Sequence, residues 1–224
     1  MTSPSDRSVV PTARGVTRLA VLSDVHADVA SVRSALAQAQ RLGCEHVVCN
    51  GDIVDYGHFP EETIALLAEQ GIPCIRGNHD RWALERPDES RLSGPALDWL
   101  GGLGTAWELT LEGVSLYGCH ASPRSDMAGI DPAQATAGEL SAMLDRVGVD
   151  ILVVGHTHIA FEITLTHGRR ILNPGSSLTD GTGHPSHLVR ECGTFGILEL
   201  PSRRWTVQRV DDGREVEIVR AWKG

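Results

Sequence analysis

The chain has 224 residues, 41% apolar and 22% charged, a balance that excludes a disordered or fibrous protein and allows one substantial core. Its net charge of -9 with neutral histidines argues against a binder of nucleic-acid duplexes, which needs a basic face. A small phosphorylated substrate stays admissible, because bound cations invert the local charge.

No apolar run is long enough to cross a bilayer, so no membrane partner is expected. Residues 1–17 are rich in Ser, Thr and Pro and lack an apolar secretory segment. They read as a flexible tail ahead of a single domain over residues 18–224, with a cytoplasmic home. Residues 18–23 then form an apolar, branched strand. Asp28 caps a helix with apolar positions Val29, Val32, Leu36 and Ala39, and Gly43 stops it. Residues 46–50 are a second buried strand. Pro60, Glu61 and Glu62 open a helix that carries Ile64, Leu67 and Ala68 and ends at Gly71. Residues 73–76 are a third strand. Strand–helix–strand–helix–strand is the pattern of a parallel sheet.

The second half changes style. Residues 107–111 and 114–119 flank Glu112-Gly113, a hairpin signal. A helix over 136–146 leads to a strand over 151–154. Residues 161–166 and 169–172 flank His167-Gly168 as another hairpin. Late strands are read at 195–200, 205–210 and 215–220. Residues 177–191 are Gly-rich and poor in apolar side chains, so they form a long loop. The whole reads as a mixed α/β domain with two sheets face to face and helices outside. The five cysteines are odd in number, contain no Cys-x-x-Cys pair and read as small buried hydrophobes.

Five of the ten histidines follow predicted strands directly. The strand ends read Asp24-Val25-His26, Gly51-Asp52, Gly77-Asn78-His79-Asp80, Gly118-Cys119-His120 and Gly155-His156-Thr157-His158. Ligand sites of α/β sheets collect beyond the carboxyl ends of the strands, so these segments are expected to converge. Asp, His and Asn are N/O donors that suit Mn²⁺, Fe²⁺ or Zn²⁺. Asp24, His26, Asp52, Asn78, His120, His156 and His158 exceed the needs of one structural zinc and match two adjacent ions that share a carboxylate. In Asp-x-His and His-x-His the side chains fall on one side of an extended segment.

These five blocks, in this order over residues 24–158, resemble the calcineurin-like metallophosphoesterase superfamily. Asn173-Pro174-Gly175-Ser176 resembles its small single-domain bacterial and archaeal phosphodiesterase-like branch. The resemblance implies a four-layer α-β-β-α sandwich of two mixed sheets flanked by helices. It implies two divalent ions, Mn foremost, with Fe, Zn or Ni as alternatives. One ion would be held by Asp24, His26, Asp52 and His158, the other by Asp52, Asn78, His120 and His156. His79 would face the leaving group as a catalytic residue, oriented by Asp80. A hydroxide between the ions would attack phosphorus in line. Protein-phosphatase and diadenosine-tetraphosphatase relatives carry Gly-Asp-x-x-Asp-Arg-Gly, whereas this chain reads Gly51-Asp52-Ile53-Val54-Asp55-Tyr56-Gly57. Tyr56 thus replaces the phosphate-gripping Arg, which favours a diester over a monoester or nucleotide phosphatase substrate.

A non-catalytic scaffold of the same fold is the rival from another class, and the complete donor set with His79 ranks it low. A zinc peptidase lacks its His-Glu-x-x-His motif. Asp55 has two readings, a support for the site or a turn cap. Arg76, Arg81 and Arg124 read first as solvated, and His46, His58 and His167 as ordinary histidines. His184, His187 and Arg190 would give the 177–191 loop a lid role beside the substrate. Physiological substrate, native metal and homo-oligomerisation stay open.

Overall fold

The computed structural model describes residues 16–179 and 192–223. In chain order the elements are β1 (Thr17–Leu22), α1 (Val29–Arg41), β2 (His46–Cys49), α2 (Pro60–Glu69), α3 (Asn78–Glu85), α4 (Pro87–Ser90) and α5 (Gly94–Gly102). There follow β3 (Ala106–Leu111), β4 (Val114–Cys119), α6 (Ala137–Val147), β5 (Ile151–Val153), β6 (Ala160–Leu165) and β7 (Arg170–Pro174). The chain closes with β8 (Thr194–Leu200), β9 (Arg204–Arg209), β10 (Glu215–Val216) and β11 (Val219–Lys223).

One sheet has the order β10-β9-β8-β1-β2 and the other β11-β6-β7-β5-β4-β3. Both are mixed: β1 runs parallel to β2 and antiparallel to β8, while β5 runs parallel to β4 and β7 and the other pairs of its sheet include antiparallel ones. Alternation along each strand builds the layers, since successive side chains point to opposite faces. On β1, Leu19 and Val21 join Val153, Leu172 and Leu198 between the sheets. Ala20 and Leu22 face outward against Val32 and Ala35 of α1 and Leu67 of α2. On β5, Ile151 and Val153 face inward, whereas Leu152 lies outward against Leu140 and Leu144 of α6. The four layers are therefore helices, sheet, sheet and helix, the sandwich that the resemblance implied.

Two caps fix helix starts, the first of them expected from the sequence. Asp28 accepts the Ser31 N–H at 2.9 Å to begin α1. Thr136 and Glu139 exchange hydrogen bonds to begin α6, the reciprocal capping box. Glu112 and Gly113, both left-handed at φ 50 and φ 77, make the β3–β4 turn that the sequence signalled.

Four expectations need correction. The tail boundary falls too late, since Thr17 already belongs to β1 and pairs with Leu200. The third strand, over 73–76, is no strand. It touches β2 only through a Cys49–Cys74 bridge, and Ile75 bridges Gly104. Pro73 has no N–H for a ladder, and Gly77 turns the chain straight into α3. The strand read over 215–220 is two strands in different sheets, with Ile218 between them packed into the inter-sheet core. The chain thus crosses from one sheet to the other. Finally, α3, α4 and α5 have no counterpart among the expected elements; Gly94, Gly101 and Gly102 dilute the apolar signal of α5. The residues 180–191 of the expected long loop, with His184, His187 and Arg190, lie outside the described residues.

Asn50, at the end of β2, is fully buried and joins the two sheets. Its side-chain oxygen accepts from Trp107 Nε1 at 2.7 Å, and its amide donates to Val153 O at 3.2 Å. Replacing it by Ala strands a buried donor and a buried acceptor, each worth about 1–3 kcal/mol. Asn50→Ala is expected to lower the unfolding free energy by about 3 kcal/mol in urea titration. Asn50→Ala with Trp107→Phe should recover part of that loss, because the orphaned indole N–H is gone.

Candidate metal centre

Four of the five segments are held together in pairs by backbone hydrogen bonds. Asp24 N donates to Gly51 O, His26 N to Asp52 O and Ala27 N to Ile53 O, at 2.9, 2.9 and 2.7 Å. The first two loops thus continue side by side beyond β1 and β2. Gly155 N donates to His120 O at 2.6 Å, which joins the fourth and fifth blocks. The blocks are not simply extended. Asp24, His26, Asp52, His156 and His158 all sit at positive φ, between 44° and 66°, a costly region for residues with a Cβ. Asp24 and His26 still meet in one cluster, but His156 and His158 go to different ones. At Gly155 a Cβ would collide with Ser23 Oγ and Asp24 Oδ2, and at Gly77 with the Asp52 carboxylate. These glycines let two acids approach the backbone.

The side chains converge as three overlapping groups, each with ligand atoms within 4.8 Å of one another: Asp24, His26 and His158; His26, Asp52 and His79; Asp52, His120 and His156. Asn78 joins the last group, its Oδ1 lying 3.1 Å from His120 Nε2. All seven candidate ligands are thus together, with Asp52 central. Asp24, His26, Asp52, Asn78, His120 and His158 are buried, and His156 is half-buried.

Hydrogen bonding settles where the lone pairs point. His26 Nδ1 faces Val54 O at 3.2 Å, and His120 Nδ1 faces Asn50 O at 2.8 Å. A carbonyl only accepts, so both Nδ1 atoms carry the hydrogen and both Nε2 atoms are left to face the cluster. There His26 Nε2 lies 3.2 Å from His158 Nε2. His120 Nε2 lies 3.1 Å from both Asp52 Oδ2 and Asn78 Oδ1. Asp24 Oδ2 accepts from Ser23 Oγ at 2.5 Å and from His156 N at 3.0 Å. Its Oδ1 is buried and faces His158 Nε2 at 3.1 Å. Facing nitrogens and oxygens of this kind, buried, call for positive charge between them, and their N/O character suits divalent cations.

Titration behaviour shows the same demand for positive charge. Burial opposes a charge on His120, yet the neighbouring Asp52 carboxylate pushes it up to about 10. Burial also opposes ionisation of Asp24, but His158 beside it holds the carboxyl below its usual range. His26, by contrast, is driven down to about 4 by burial, which suits a neutral nitrogen donor.

His79 is set differently from the expectation. Its Nδ1 lies 2.7 Å from Asp55 Oδ2, and its Nε2 4.0 Å from Asp52 Oδ2. Asp55, not Asp80, orients the ring. Burial lowers the His79 pKa, but the Asp55 hydrogen bond and the Asp52 charge leave it above the usual value. That hydrogen bond also draws Asp55 down to about 2. Tyr56 and Trp82 flank the ring, each with a centroid separation of 4.7 Å. Asp80 is fully buried and spends both oxygens on the backbone: Oδ1 accepts from Ile53 N and Val54 N, Oδ2 from Gly77 N. It caps α3 and staples that helix to the Asp52 loop. Burial, with Asp52 nearby, pushes it up to about 7 against those three donors. Asn173 and Ser176 of the later motif also serve the site: Asn173 Nδ2 donates to Gly155 O at 2.9 Å, and Ser176 Oγ to Asp24 O at 2.8 Å. Arg81 is taken up by Asp126 and Glu85.

This fold and donor set define a metallophosphoesterase. Residues 18–194 match the calcineurin-like phosphoesterase superfamily domain, and the chain belongs to that family. An uncharacterized protein of Methanocaldococcus jannaschii is 24% identical over 177 residues, 72% of this chain and 70% of its own length. The crystal structure of a metallophosphoesterase from Sphaerobacter thermophilus superposes with a TM-score of 0.65 at 24% identity, over 91% of this chain and 89% of that one. A novel archaeal phosphodiesterase superposes with a TM-score of 0.55 at 16% identity, over 86% and 99% of the two chains. At such identities the likeness of the two solved structures lies in the fold. The family is metal-dependent and consists mainly of hydrolases.

The exchanged roles of Asp55 and Asp80 are separable by mutation. Asp55→Ala is expected to lower kcat roughly 10–100-fold, as loss of an orienting partner does, with metal content and stability kept. Asp80→Ala leaves three backbone N–H groups without their acceptor and should cost at least about 3 kcal/mol of stability. Thermal melts and metal analysis of both variants check this; the reverse pattern would return the orienting role to Asp80.

Proposed function

We propose that the chain is a two-metal phosphoesterase that hydrolyses a small phosphodiester. The observation that carries this is the shared position of Asp52 between two buried His/Asp groups, with His79 Nε2 at its edge. Asp24, His26, Asp52 and His158 would hold one ion and Asp52, Asn78, His120 and His156 the other, with Mn²⁺ the favoured metal for this N/O donor set. Two divalent ions bound there supply Lewis acidity to the phosphoryl oxygens and lower the pKa of a water to the neutral range.

The rest falls to the chain's own side chains. Asp55 holds the Nδ1–H of His79, which leaves Nε2 to deliver a proton to the departing oxygen. Tyr56 and Trp82 keep that ring from turning. The fixed cluster of Asp24, His26, Asp52 and Asn78 needs no rearrangement as charge develops. The diester preference is supported by Tyr56. Its ring packs 4.5 Å from His26 and 4.7 Å from His79, so an uncharged wall stands where related phosphatases carry a guanidinium. A monoester's second negative charge lacks that bidentate fork.

A strong chelator is expected to abolish hydrolysis, and Mn²⁺ to restore it, with metal analysis approaching two ions per chain. Asp52→Asn should lose both metal and rate. His79→Ala should keep the metal and lose about 10²–10⁴-fold in kcat. Bis-p-nitrophenyl phosphate should be cleaved with higher kcat/KM than p-nitrophenyl phosphate, and Tyr56→Arg should shift that ratio toward the monoester. Full activity of metal-stripped protein would sink the two-metal reading, and a wild-type monoester preference would sink the diester reading alone.

A further inference from the structure

Two pockets adjoin the cluster. One, of about 630 Å³, is lined by His79, whose Nε2 lies 4.0 Å from Asp52 Oδ2, and by Tyr56, Trp82, Arg86 and Arg91 among others. The second, of about 400 Å³, is lined by the candidate ligand His120 together with Arg76 and Arg124. Two arms are what a diester presents and a monoester lacks.

The larger pocket has the size of a small-molecule site and an uneven chemistry. Its near end is aromatic: Tyr56, His79 and Trp82 stand side by side, half-buried, and offer faces on which a planar ring can stack. Its far end is cationic. Arg86 and Arg91 are exposed and have no ion-pair partner among the described residues. Glu89, between them in sequence, also lines the pocket, so two guanidinium groups outweigh one carboxylate. Asp55 lines it too but is engaged by His79.

Helix geometry sets the separation. His79 sits in the first turn of α3 and Arg86 just past its last residue. At 1.5 Å per residue the two positions are about 10 Å apart along the axis. A lone phosphoryl group at the metals cannot reach from one to the other, whereas an arm of sugar, base and a further phosphate can.

We propose that this pocket binds the leaving arm of the substrate, and that the arm bears a planar ring and a second phosphate. The substrate class is thus a phosphodiester between two nucleotide-like groups, the departing one phosphorylated at its far end. The inference rests on the phosphodiesterase reading above. Water adds its oxygen to phosphorus and releases one proton to solvent. The bond to the arm in the pocket breaks with its electron pair going to the arm oxygen. That oxygen takes a proton from His79 Nε2, which is replenished from water. The sum is diester plus water giving one phosphomonoester and one alcohol. Arg86 and Arg91 act as a bidentate grip on the terminal phosphate.

The thymidine dinucleotides pTpT and TpT test this, since they share the reacting phosphodiester and differ only in the 5′-phosphate. With Mn²⁺-loaded protein, kcat/KM is expected to be at least tenfold higher for pTpT, with two thymidine 5′-monophosphates as products. In Arg86→Ala/Arg91→Ala the pTpT:TpT ratio should fall toward one. Equal rates on both dinucleotides, with bis-p-nitrophenyl phosphate cleaved, would overturn the inference and leave the phosphodiesterase reading standing. Thymidine 3′,5′-bisphosphate and thymidine as products would also overturn it, because the phosphorylated arm would then be the one retained. No cleavage of bis-p-nitrophenyl phosphate would remove the phosphodiesterase reading and this inference with it.

Discussion

Lone pairs that face one another in a buried space repel, and they stay there only if a positive charge stands between them. That constraint governs this protein. His26 Nε2 looks at His158 Nε2 across 3.2 Å, and His120 Nε2 looks at two oxygens across 3.1 Å each. Each imidazole is turned that way by a backbone carbonyl behind it, from Val54 and from Asn50. The carbonyls belong to the same loops that carry Asp52, so tautomer, ring orientation and the shared carboxylate are fixed by one piece of backbone. A protein arranged in this way has committed its interior to a cation.

The commitment needs a stiff frame, because the ligand-bearing loops hold residues at positive φ that would relax if released. The frame is supplied by buried polar side chains that bond backbone rather than each other. Asp80 fastens α3 to the Asp52 loop. Asn50 ties the end of β2 to the opposite sheet. Asn173 and Ser176 pin the His156 and Asp24 loops from the far side. None of these four needs to touch substrate, yet each sets where a donor atom lies.

Much of this was legible in the sequence because it follows short-range rules. Short apolar, branched runs mark β1 and β5, Asp28 announces α1, and Glu112-Gly113 announces its turn. The seven candidate donors could be expected to converge because they sit directly beyond strand ends or glycines, and the sheets bring those ends together. What the sequence concealed depends on partners far along the chain. Asp55 and Asp80 are both acids near His79, and only the fold shows that Asp80 is consumed by Ile53, Val54 and Gly77 while Asp55 reaches Nδ1. Residues 215–220 read as one strand because nothing local marks the point where the chain passes between sheets. The segment 73–76 has the composition of a strand but lacks a ladder, since Pro73 cannot donate and Gly77 leads at once into α3.

The pairing of β1 with β8 joins Arg18 to Glu199 and Val21 to Gly196. A strand that carries Asp24 at its end is thus secured by one made some 180 residues later, as the Arg18–Glu199 contact spans 181 positions. Such long-range closure slows folding, because the loop must be closed before the contact repays it. On the ribosome the first sheet cannot be completed until nearly the whole domain has emerged. Until then the Asp24 and Asp52 loops have no rigid floor, and their carboxylates and imidazoles are solvated and separate. The candidate metal centre is therefore finished only at the end of biogenesis: the nascent chain carries its donors scattered, and the completed sandwich holds them in one fixed arrangement.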